Sequence, residues 1–405
     1  MSIYLFATLD TKGPEAAFVA ARLHELGLEV TLVDTGCLGE ATVAADITRE
    51  QFFAASGFSL GDLQQQNDRG SAIAAAASAA ENIARDAFQR KQLSGVLALG
   101  GSAGTTIGTA AMRALPIGVP KVMVSTLASG QVRPYVRDKD IVMFNSVVDI
   151  AGINRISRHI LSAAAAALAG MARFPASAKE NNDRPLIAAT MFGVTTPCVQ
   201  HARKILEAAG YEVLVFHATG NGGEALESLV RDGLVAGVLD ITTTELADEL
   251  VGGILSAGPT RLTAAGEKGI PQVISVGALD MVNFGPRETV PPQFSDRLFY
   301  QHNANVTLMR TTPAENRALG EEIGRKAAAA QGPTEIILPR RGVSALDQEG
   351  KAFDDPVARE ALFAGIRAAG GQVPVNEVDQ HINDAEFAEL AAKRLLTLLS
   401  VPRQT

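Results

Sequence analysis

Three glycines close together after an apolar run give the residue types of a phosphate-binding turn. Val96 to Leu99 suits a buried strand, Gly100 to Gly104 suits a turn, and Thr105 or Thr106 can cap the Ala-rich helix that follows. Such a helix start collects unpaired backbone N–H groups and the positive end of the helix dipole, which favour an anion. The spacing matches neither the dinucleotide nor the P-loop signature, so an ordinary strand-to-helix connection is the alternative. The predicted phosphate-binding residues are Gly100, Gly101, Ser102, Gly104, Thr105 and Thr106.

Two other polar turns follow predicted strands of the first half. Asp10, Thr11 and Lys12 come after the apolar run Ile3 to Ala7, and Thr126 follows a later run. Open α/β sheets bind ligands at the carboxyl ends of their strands, so we expect these residues to complete the anion site, with Lys12 neutralising phosphate charge. A helix cap beside a solvated lysine, and an ordinary loop at Thr126, are the alternatives.

A second glycine-rich turn lies in the second half of the chain. Gly220, Gly222 and Gly223 follow a strand-like run and open a helix, so their backbone N–H groups are expected to face outward and bind substrate. His217 stands just before them and could hold a phosphate or transfer a proton. A histidine bonded only to the turn's own carbonyl groups is the alternative.

Acidic and hydroxyl residues follow the next predicted strand. Asp240 and Glu245 are expected to bind a cation or to act as acid and base, and Thr243 and Thr244 to contact substrate. Capping of the following helix is the alternative for at least one of the threonines.

Two further residues extend the predicted substrate site. Asp280 follows a later strand on the same expected rim, and Arg340 lies beside Arg341 in a polar loop, where the pair could hold an anion. A solvated arginine pair is the commoner arrangement. The sequence has no recognised metal-ligand spacing, so no dedicated metal site is predicted.

These residues must be positioned by the strands and helices of an α/β protein. With 405 residues, 47% of them apolar, and 38 glycines, the chain exceeds the size of one core. We predict two Rossmann-like domains, each a doubly wound parallel sheet, covering residues 1–178 and 184–405 and facing each other across a cleft. The polar segment from Pro175 to Pro185 is the predicted linker.

An internal repeat supports the two-domain prediction. The order strand, turn, helix and strand runs from Ile3 to Thr35 and again from Leu186 to Ala218. A later echo pairs Asn154-Arg155 with Asn316-Arg317 at a helix opening. We interpret the halves as a duplication of one βαβ-rich unit, with the tail from Thr334 onward outside the repeat. Generic likeness among α/β units is the alternative.

Charge, hydropathy and cysteine content disfavour several classes of function. A net charge of −8 without a lysine or arginine block argues against nucleic acid as a partner. The apolar run Ile160 to Ala172 is too short to span a bilayer, so no membrane partner is expected. Cys37 and Cys198 are too few for a disulfide framework, and a strand-like run follows Met1 at once in place of a signal segment. These features predict a cytoplasmic protein.

Four motifs in order make the chain resemble a known family. They are Phe6 to Gly13, Gly100 to Thr105, Phe216 to Gly223 and Asp240 to Glu245. Together they are similar to the ATP-binding domain family named after the tomato mosaic virus resistance protein, whose bacterial members are largely uncharacterised. The resemblance covers essentially the whole chain. It implies two Rossmann-like domains, a homodimer and adenine-nucleotide binding, with ATP, alone or with Mg²⁺, as the expected cofactor.

Three hypotheses of function follow. The first is an ATP-binding enzyme that acts on a small metabolite in the cleft, with the nucleotide on the first glycine turn and Asp240 and Glu245 supplying the chemistry. The second is a non-catalytic, nucleotide-responsive module that presents a surface, such as the Ala-rich helix Gly70 to Gln92, to a protein partner. The third is an enzyme that uses a sugar nucleotide or an acyl phosphate, with His217 in its site.

Overall fold

The computed structural model describes residues 1–174 and 183–400, which belong to two compact units, Met1–Asn181 and Asn182–Thr405. Residues 175–182 of the predicted linker lie outside the described residues. Each unit carries a parallel sheet with helices, so the predicted fold class of two Rossmann-like α/β domains is confirmed. Within the described ranges, no helix is long and apolar enough to cross a bilayer.

The first unit, in its described residues, is built on five parallel strands. They are β1 (Ser2–Ala7), β2 (Val30–Asp34), β3 (Leu93–Gly100), β4 (Lys121–Ser125) and β5 (Val142–Asn145). Their order across the sheet is β2-β1-β3-β4-β5. The chain therefore moves towards one edge after β1 and towards the other after β3, and the switch point between β1 and β3 is where such sheets bind ligands.

Helices cover both faces of this sheet. They are α1 (Leu9–Glu25), α2 (Arg49–Ala54), α3 (Leu60–Gln66), α4 (Arg69–Gln89), α5 (Ser102–Arg113), α6 (Arg133–Val136) and α7 (Arg155–Arg173). Ile3 and Leu5 of β1 pack in the core with α1 and α7, whereas Tyr4 and Phe6 point to the core formed with α2, α4 and α5. Burial on both faces explains why β1 is a continuous apolar run.

The Ala-rich helix predicted from Gly70 to Gln92 is α4. Its alanines Ala75, Ala76, Ala79 and Ala80 are buried, and α4 packs against α5. Small side chains let the two helices approach closely, so the alanine face belongs to the core and is not a surface for a partner.

The second unit contains a parallel sheet and a smaller antiparallel one. Its strands are β6 (Leu186–Met191), β7 (Glu212–His217), β8 (Gly237–Thr242), β9 (Gln272–Gly277), β10 (Met281–Phe284), β11 (Phe299–Asn303), β12 (Val306–Arg310), β13 (Thr334–Pro339) and β14 (Val375–Val378). Its helices are α8 (Thr196–Ala208), α9 (Asn221–Arg231), α10 (Glu245–Val251), α11 (Ala264–Glu267), α12 (Pro313–Ala328), α13 (Pro356–Ala369) and α14 (Ala385–Ser400). The parallel strands have the order β14-β13-β9-β8-β6-β7, and β10, β12 and β11 pair antiparallel.

The two parallel sheets share one strand order, but the structure corrects two details of the repeat predicted from the sequence. From β7 to β13 the second sheet repeats the order of the first, so β13 occupies the position of β5 and the chain beyond Thr334 is not outside the repeated architecture. Asn154 is the N-cap of α7, but Asn316 lies inside α12, whose N-cap is Thr312. The paired asparagines therefore do not mark the same helix position.

Candidate functional site

A cavity of about 620 Å³ lies at the switch point of the first sheet. Its walls include residues directly after β1 and after β3, the two strands that flank that point. Seven predicted nucleotide-binding residues line it: Asp10, Thr11, Lys12, Gly100, Gly101, Ser102 and Gly104. The volume is typical of a cofactor or small-ligand pocket.

The start of α5 forms the polar wall of this cavity. Gly101 is the N-cap, and no side chain caps the helix. The first N–H groups of an α-helix have no partner within the helix, and here Ser102, Ala103 and Gly104 border the cavity. A Cβ at Gly100 would lie 2.9 Å from the Gly104 Cα, so the tight turn requires glycine there. The wall is thus a set of backbone donors at the positive end of a helix dipole.

Three predicted residues lie outside this cavity lining. Thr105 is buried, and its hydroxyl bonds to the Gly101 carbonyl oxygen at 2.8 Å and to Ser125 Oγ at 2.7 Å. Thr106 Oγ1 donates to the Ser102 carbonyl oxygen at 2.9 Å. The Thr126 N–H donates to the Gly100 carbonyl oxygen at 3.3 Å. These contacts stabilise the glycine turn. The expectation that Thr105 or Thr106 caps α5 is wrong, because the helix begins at Ser102.

Lys12 and Asp10 differ in how they can meet a ligand. Lys12 lines the cavity, and no ion pair of its ammonium group is found within residues 1–174 and 183–400. Its backbone, with φ −126° and ψ 16°, interrupts α1. Asp10 Oδ2 instead accepts hydrogen bonds from the N–H groups of Leu38, at 3.4 Å, and Gly39, at 3.1 Å. Lys12 is therefore available to an anion, whereas Asp10 holds the loop that borders the cavity.

Asp34 fixes the turns after β1 and β2, a role that sequence reasoning missed. Its Oδ1 accepts from the N–H groups of Leu9, at 3.1 Å, and Gly36, at 2.9 Å, and its Oδ2 accepts from Arg49 Nε at 2.9 Å. An acidic residue that ends an apolar strand was the available signal. This buried ion pair positions the segment that carries Lys12.

The apolar wall of the cavity was also missed by sequence reasoning. It comes from α2, α3, α4 and α5, and its members are Phe53, Leu63, Ala72, Ile73, Ala76 and Ile107. Arg69, at the first position of α4, adds a second cation to the lining. Its neighbour Asp68 caps α4, and hydrogen bonds from Ser71 and from backbone N–H groups lower the pKa of Asp68. The lining thus offers cations and backbone donors to an anionic group and apolar side chains to the rest of a ligand.

The predicted catalytic carboxylates of the second unit surround one buried arginine. Arg261 donates to Asp240 Oδ1 and Oδ2 at 2.7 and 2.6 Å, and its Nε donates to Glu245 Oε2 at 2.7 Å. Burial lowers the pKa of Arg261, but the carboxylates, Asp240 foremost, raise it well above the ordinary value. Burial also raises the pKa of Glu245, although Arg261 opposes this shift. None of the three side chains reaches the surface.

In the second glycine turn, the N–H groups of Gly220 and Gly223 are occupied. Glu245 Oε1 accepts from the Gly220 N–H at 2.8 Å and from the Gly223 N–H at 3.0 Å. The expectation that these N–H groups face outward is corrected, because a carboxylate of the protein already binds them. A Cβ at Gly222 would lie 1.8 Å from the His217 carbonyl oxygen, so close packing requires that glycine. The His217 side chain is exposed and is not part of this buried network.

The remaining predicted substrate residues do not form one open surface. Thr243 and Thr244 are buried, and Thr243 Oγ1 donates to the Ser275 carbonyl oxygen at 3.1 Å. Asp280 is buried as well, and Ser344 Oγ donates to its Oδ2 at 2.7 Å. Arg340 is exposed. Sequence reasoning placed these residues at strand ends but could not show that the chain folds over three of them.

Models of an uncharacterised protein family, UPF0261, match both units. The model of its N-terminal domain matches residues 1–177, and the model of its C-terminal domain matches residues 184–399. A UPF0261 protein of Clostridium tetani is 49% identical over 399 residues, which cover 98% of each chain.

A plant protein is similar over most of this chain. The ToMV resistance protein Tm-1(GCR237) of Solanum lycopersicum is 48% identical over 337 residues, which cover 82% of this chain and 45% of the tomato protein. This match confirms the family resemblance seen in the four motifs. Among solved structures, a UDP-N-acetylglucosamine 2-epimerase from Rickettsia bellii aligns with 98% of this chain and 95% of its own, at 9% identity and a TM-score of 0.23.

Proposed function

The chain belongs to the UPF0261 family, and we propose that it binds an adenine nucleotide, ATP, in the cavity of its first unit. One observation carries the proposal: the start of α5 and Lys12 line the same cavity at the switch point of the sheet, and among the described residues neither a side-chain cap on α5 nor an ion pair of Lys12 is found. Backbone donors, a helix dipole and an ammonium group together favour a phosphate group.

The apolar wall of the cavity supports the proposal that the ligand carries an adenine ring. Phe53, Leu63 and Ile73 offer apolar surface on the wall formed by α2, α3 and α4. An adenine ring has two apolar faces and gains from burial against such side chains, while the triphosphate gains from the start of α5 and Lys12. We further propose, from the family resemblance, that Mg²⁺ accompanies the nucleotide and that the protein works as a cytoplasmic homodimer.

A nucleotide-responsive binding module is the second candidate, and one observation favours it over an enzyme. Asp240 and Glu245, the carboxylates expected to do chemistry on a small metabolite, are both held by Arg261 and have no exposed surface. A general acid or base must lie within hydrogen-bond reach of the substrate, and these carboxylates are buried and bonded to an arginine of the protein instead. We therefore place binding ahead of turnover in the proposal.

Isothermal titration with ATP, with and without Mg²⁺, tests the proposal. Gly101→Asp adds a carboxylate at the helix start, where a Cβ would meet nothing nearer than Thr126 Oγ1 at 3.7 Å, so the fold has room for it. Repulsion of the phosphate groups should weaken ATP binding about tenfold or more. Gly193→Asp is the matched control, because a Cβ at Gly193 meets no atom of the described residues within 4 Å.

Two outcomes of this titration would contradict the proposal. One is the absence of ATP binding to the wild-type chain, and the other is equal affinity in the Gly101→Asp and Gly193→Asp chains. Phosphate release by the wild-type chain, assayed with a panel of small metabolites, separates the two candidates. Release would favour the enzyme, whereas binding without release would favour the module.

A further inference from the structure

The start of α9 in the second unit has the donor set of an anion site. Gly220 and Gly223 present their N–H groups there, and the Nε–H of Arg261 points to the same place. Two backbone N–H groups at a helix start together with a guanidinium group are typical partners of a bound carboxylate or phosphate. In this chain the partner is the Glu245 carboxylate, with all three contacts between 2.7 and 3.0 Å.

Glu245 comes from the element that corresponds to the start of α5. β3 and β8 occupy the same position in their sheets, and Ser102 and Glu245 are the first residues of the helices that follow them. In the first unit this position carries a short side chain and borders a cavity. In the second unit it carries a carboxylate that crosses to the start of α9.

The glycines at the start of α9 have no room for a side chain. A Cβ at Gly223 would lie 2.2 Å from Glu245 Oε2, and a Cβ at Gly220 would lie 2.7 Å from the Ser256 carbonyl oxygen. These glycines are thus required by the internal carboxylate and the nearby chain. Arg261 does not depend on Glu245 for its position, because Asp240 also holds it through two hydrogen bonds.

We propose that the second unit contains an anion site whose resident ligand is Glu245, and that removing this carboxylate opens the site to acetate. Glu245→Ala deletes a CH₂–COO⁻ group, which has the size and charge of acetate, and leaves the two N–H groups and the Arg261 Nε unpaired. One consequence rests on the proposed function. The wild-type chain has two glycine-rich helix starts but binds one nucleotide, in the first unit, because Glu245 occupies the helix start in the second unit.

Thermal unfolding of the full chain in acetate and in chloride tests the proposal. Breaking a buried ion pair should lower the midpoint of Glu245→Ala by about 10 °C. At about 100 mM, acetate should raise that midpoint by about 4 °C more than chloride does. Glu245→Gln is the matched control, since its side chain still fills the site, and it should respond equally to both salts. Pivalate has the same charge but is too large, and should behave like chloride.

Several results would overturn this proposal. They are an equal response of Glu245→Ala to acetate and chloride, an equal acetate response in Glu245→Gln or the wild-type chain, and a response to pivalate as large as to acetate. If Glu245→Ala does not fold in chloride, its refolding yield in acetate decides: recovery supports the proposal and continued failure overturns it. ATP takes no part in these measurements, so they are independent of the nucleotide proposal.

Discussion

Asp280 has an unusual environment for an acidic side chain. It is fully buried, Ser344 Oγ donates to its Oδ2, and its Oδ1 has no hydrogen-bond partner among the described residues. Burial, followed by the nearby Asp347 carboxylate, raises the pKa of Asp280 to about 7. The folded chain therefore binds this proton more tightly than the unfolded chain, whose aspartates titrate near the ordinary value of 3.8.

The Asp280 carboxyl group makes stability depend on pH in a stated direction. Because the folded-state pKa is raised, its contribution is fully present below about pH 4 and is lost as pH rises through about 7. Asp280→Asn removes the titrating group but keeps the shape, so its free energy of unfolding relative to wild type should increase by about 2–4 kcal/mol between pH 4 and 8. Urea unfolding of both chains across this range measures the difference.

A second buried carboxyl group in this unit does not disturb the comparison of the two chains. Asp248 is also buried, with a pKa raised to about 7, and it is present in both chains, so its contribution cancels in the comparison. A difference between the two chains that stays constant with pH would show that Asp280 titrates normally.

At the scale of elements, α5 and α4 supply different groups to the cavity lining. The turn between β3 and α5 supplies backbone donors, which would remain after any substitution at Ser102 other than proline. The α4 face supplies Ala72 and Ala76, whose small size leaves room in the cavity. Substitutions of Ala72 or Ala76 should therefore affect the apolar part of a ligand and spare its phosphate groups.

Ala72→Phe tests this division of labour. The larger side chain would occupy space proposed for the adenine ring, so ATP affinity should fall about tenfold, while affinity for inorganic triphosphate should stay unchanged. Ala74→Phe is the matched control, because Ala74 lies on the same helix and is exposed. Competition binding with both ligands makes the measurement. Equal losses for ATP and triphosphate would contradict the assignment of the two ends.

At the scale of the whole molecule, two sheets with one strand order differ at their helix starts. The first unit leaves the start of α5, after β3, open to a cavity, whereas the second unit fills the start of α9, after β7, with the carboxylate of Glu245. Glu245 follows β8 and corresponds in position to Ser102, so one strand order supports both an open and a filled helix start.

Hydrogen exchange of the full chain with saturating ATP should report this difference. Ligand binding slows local opening, so protection should increase around residues 8–12 and 100–106, by about tenfold or more, and should not change around residues 220–224. Mass spectrometry of peptic peptides provides the measurement, and the apo chain is its reference. Protection that appears only at residues 220–224 would show that the nucleotide binds to the second unit, which would contradict the proposal.

Much of the fold could be predicted from the sequence, but only part of the candidate site. Apolar runs separated by glycine turns predict strands directly, and Gly100, Gly101 and Gly104 are visible because glycines cluster where a turn is tight. Phe53 and Leu63 look like ordinary core residues, so the apolar wall had no separate signal. The sequence predicts a catalytic role for Asp240 and Glu245 because nothing in their spacing shows that both form ion pairs with Arg261.

The two cysteines give this chain a built-in place for a probe. Cys198 is completely buried, and burial raises the pKa of its thiol to about 12, so it resists alkylation. Cys37 is partly exposed on the cavity wall, in the loop that Asp10 holds. A thiol-reactive dye at mildly alkaline pH would therefore label one position without mutagenesis, and its emission would follow events in the pocket as they occur.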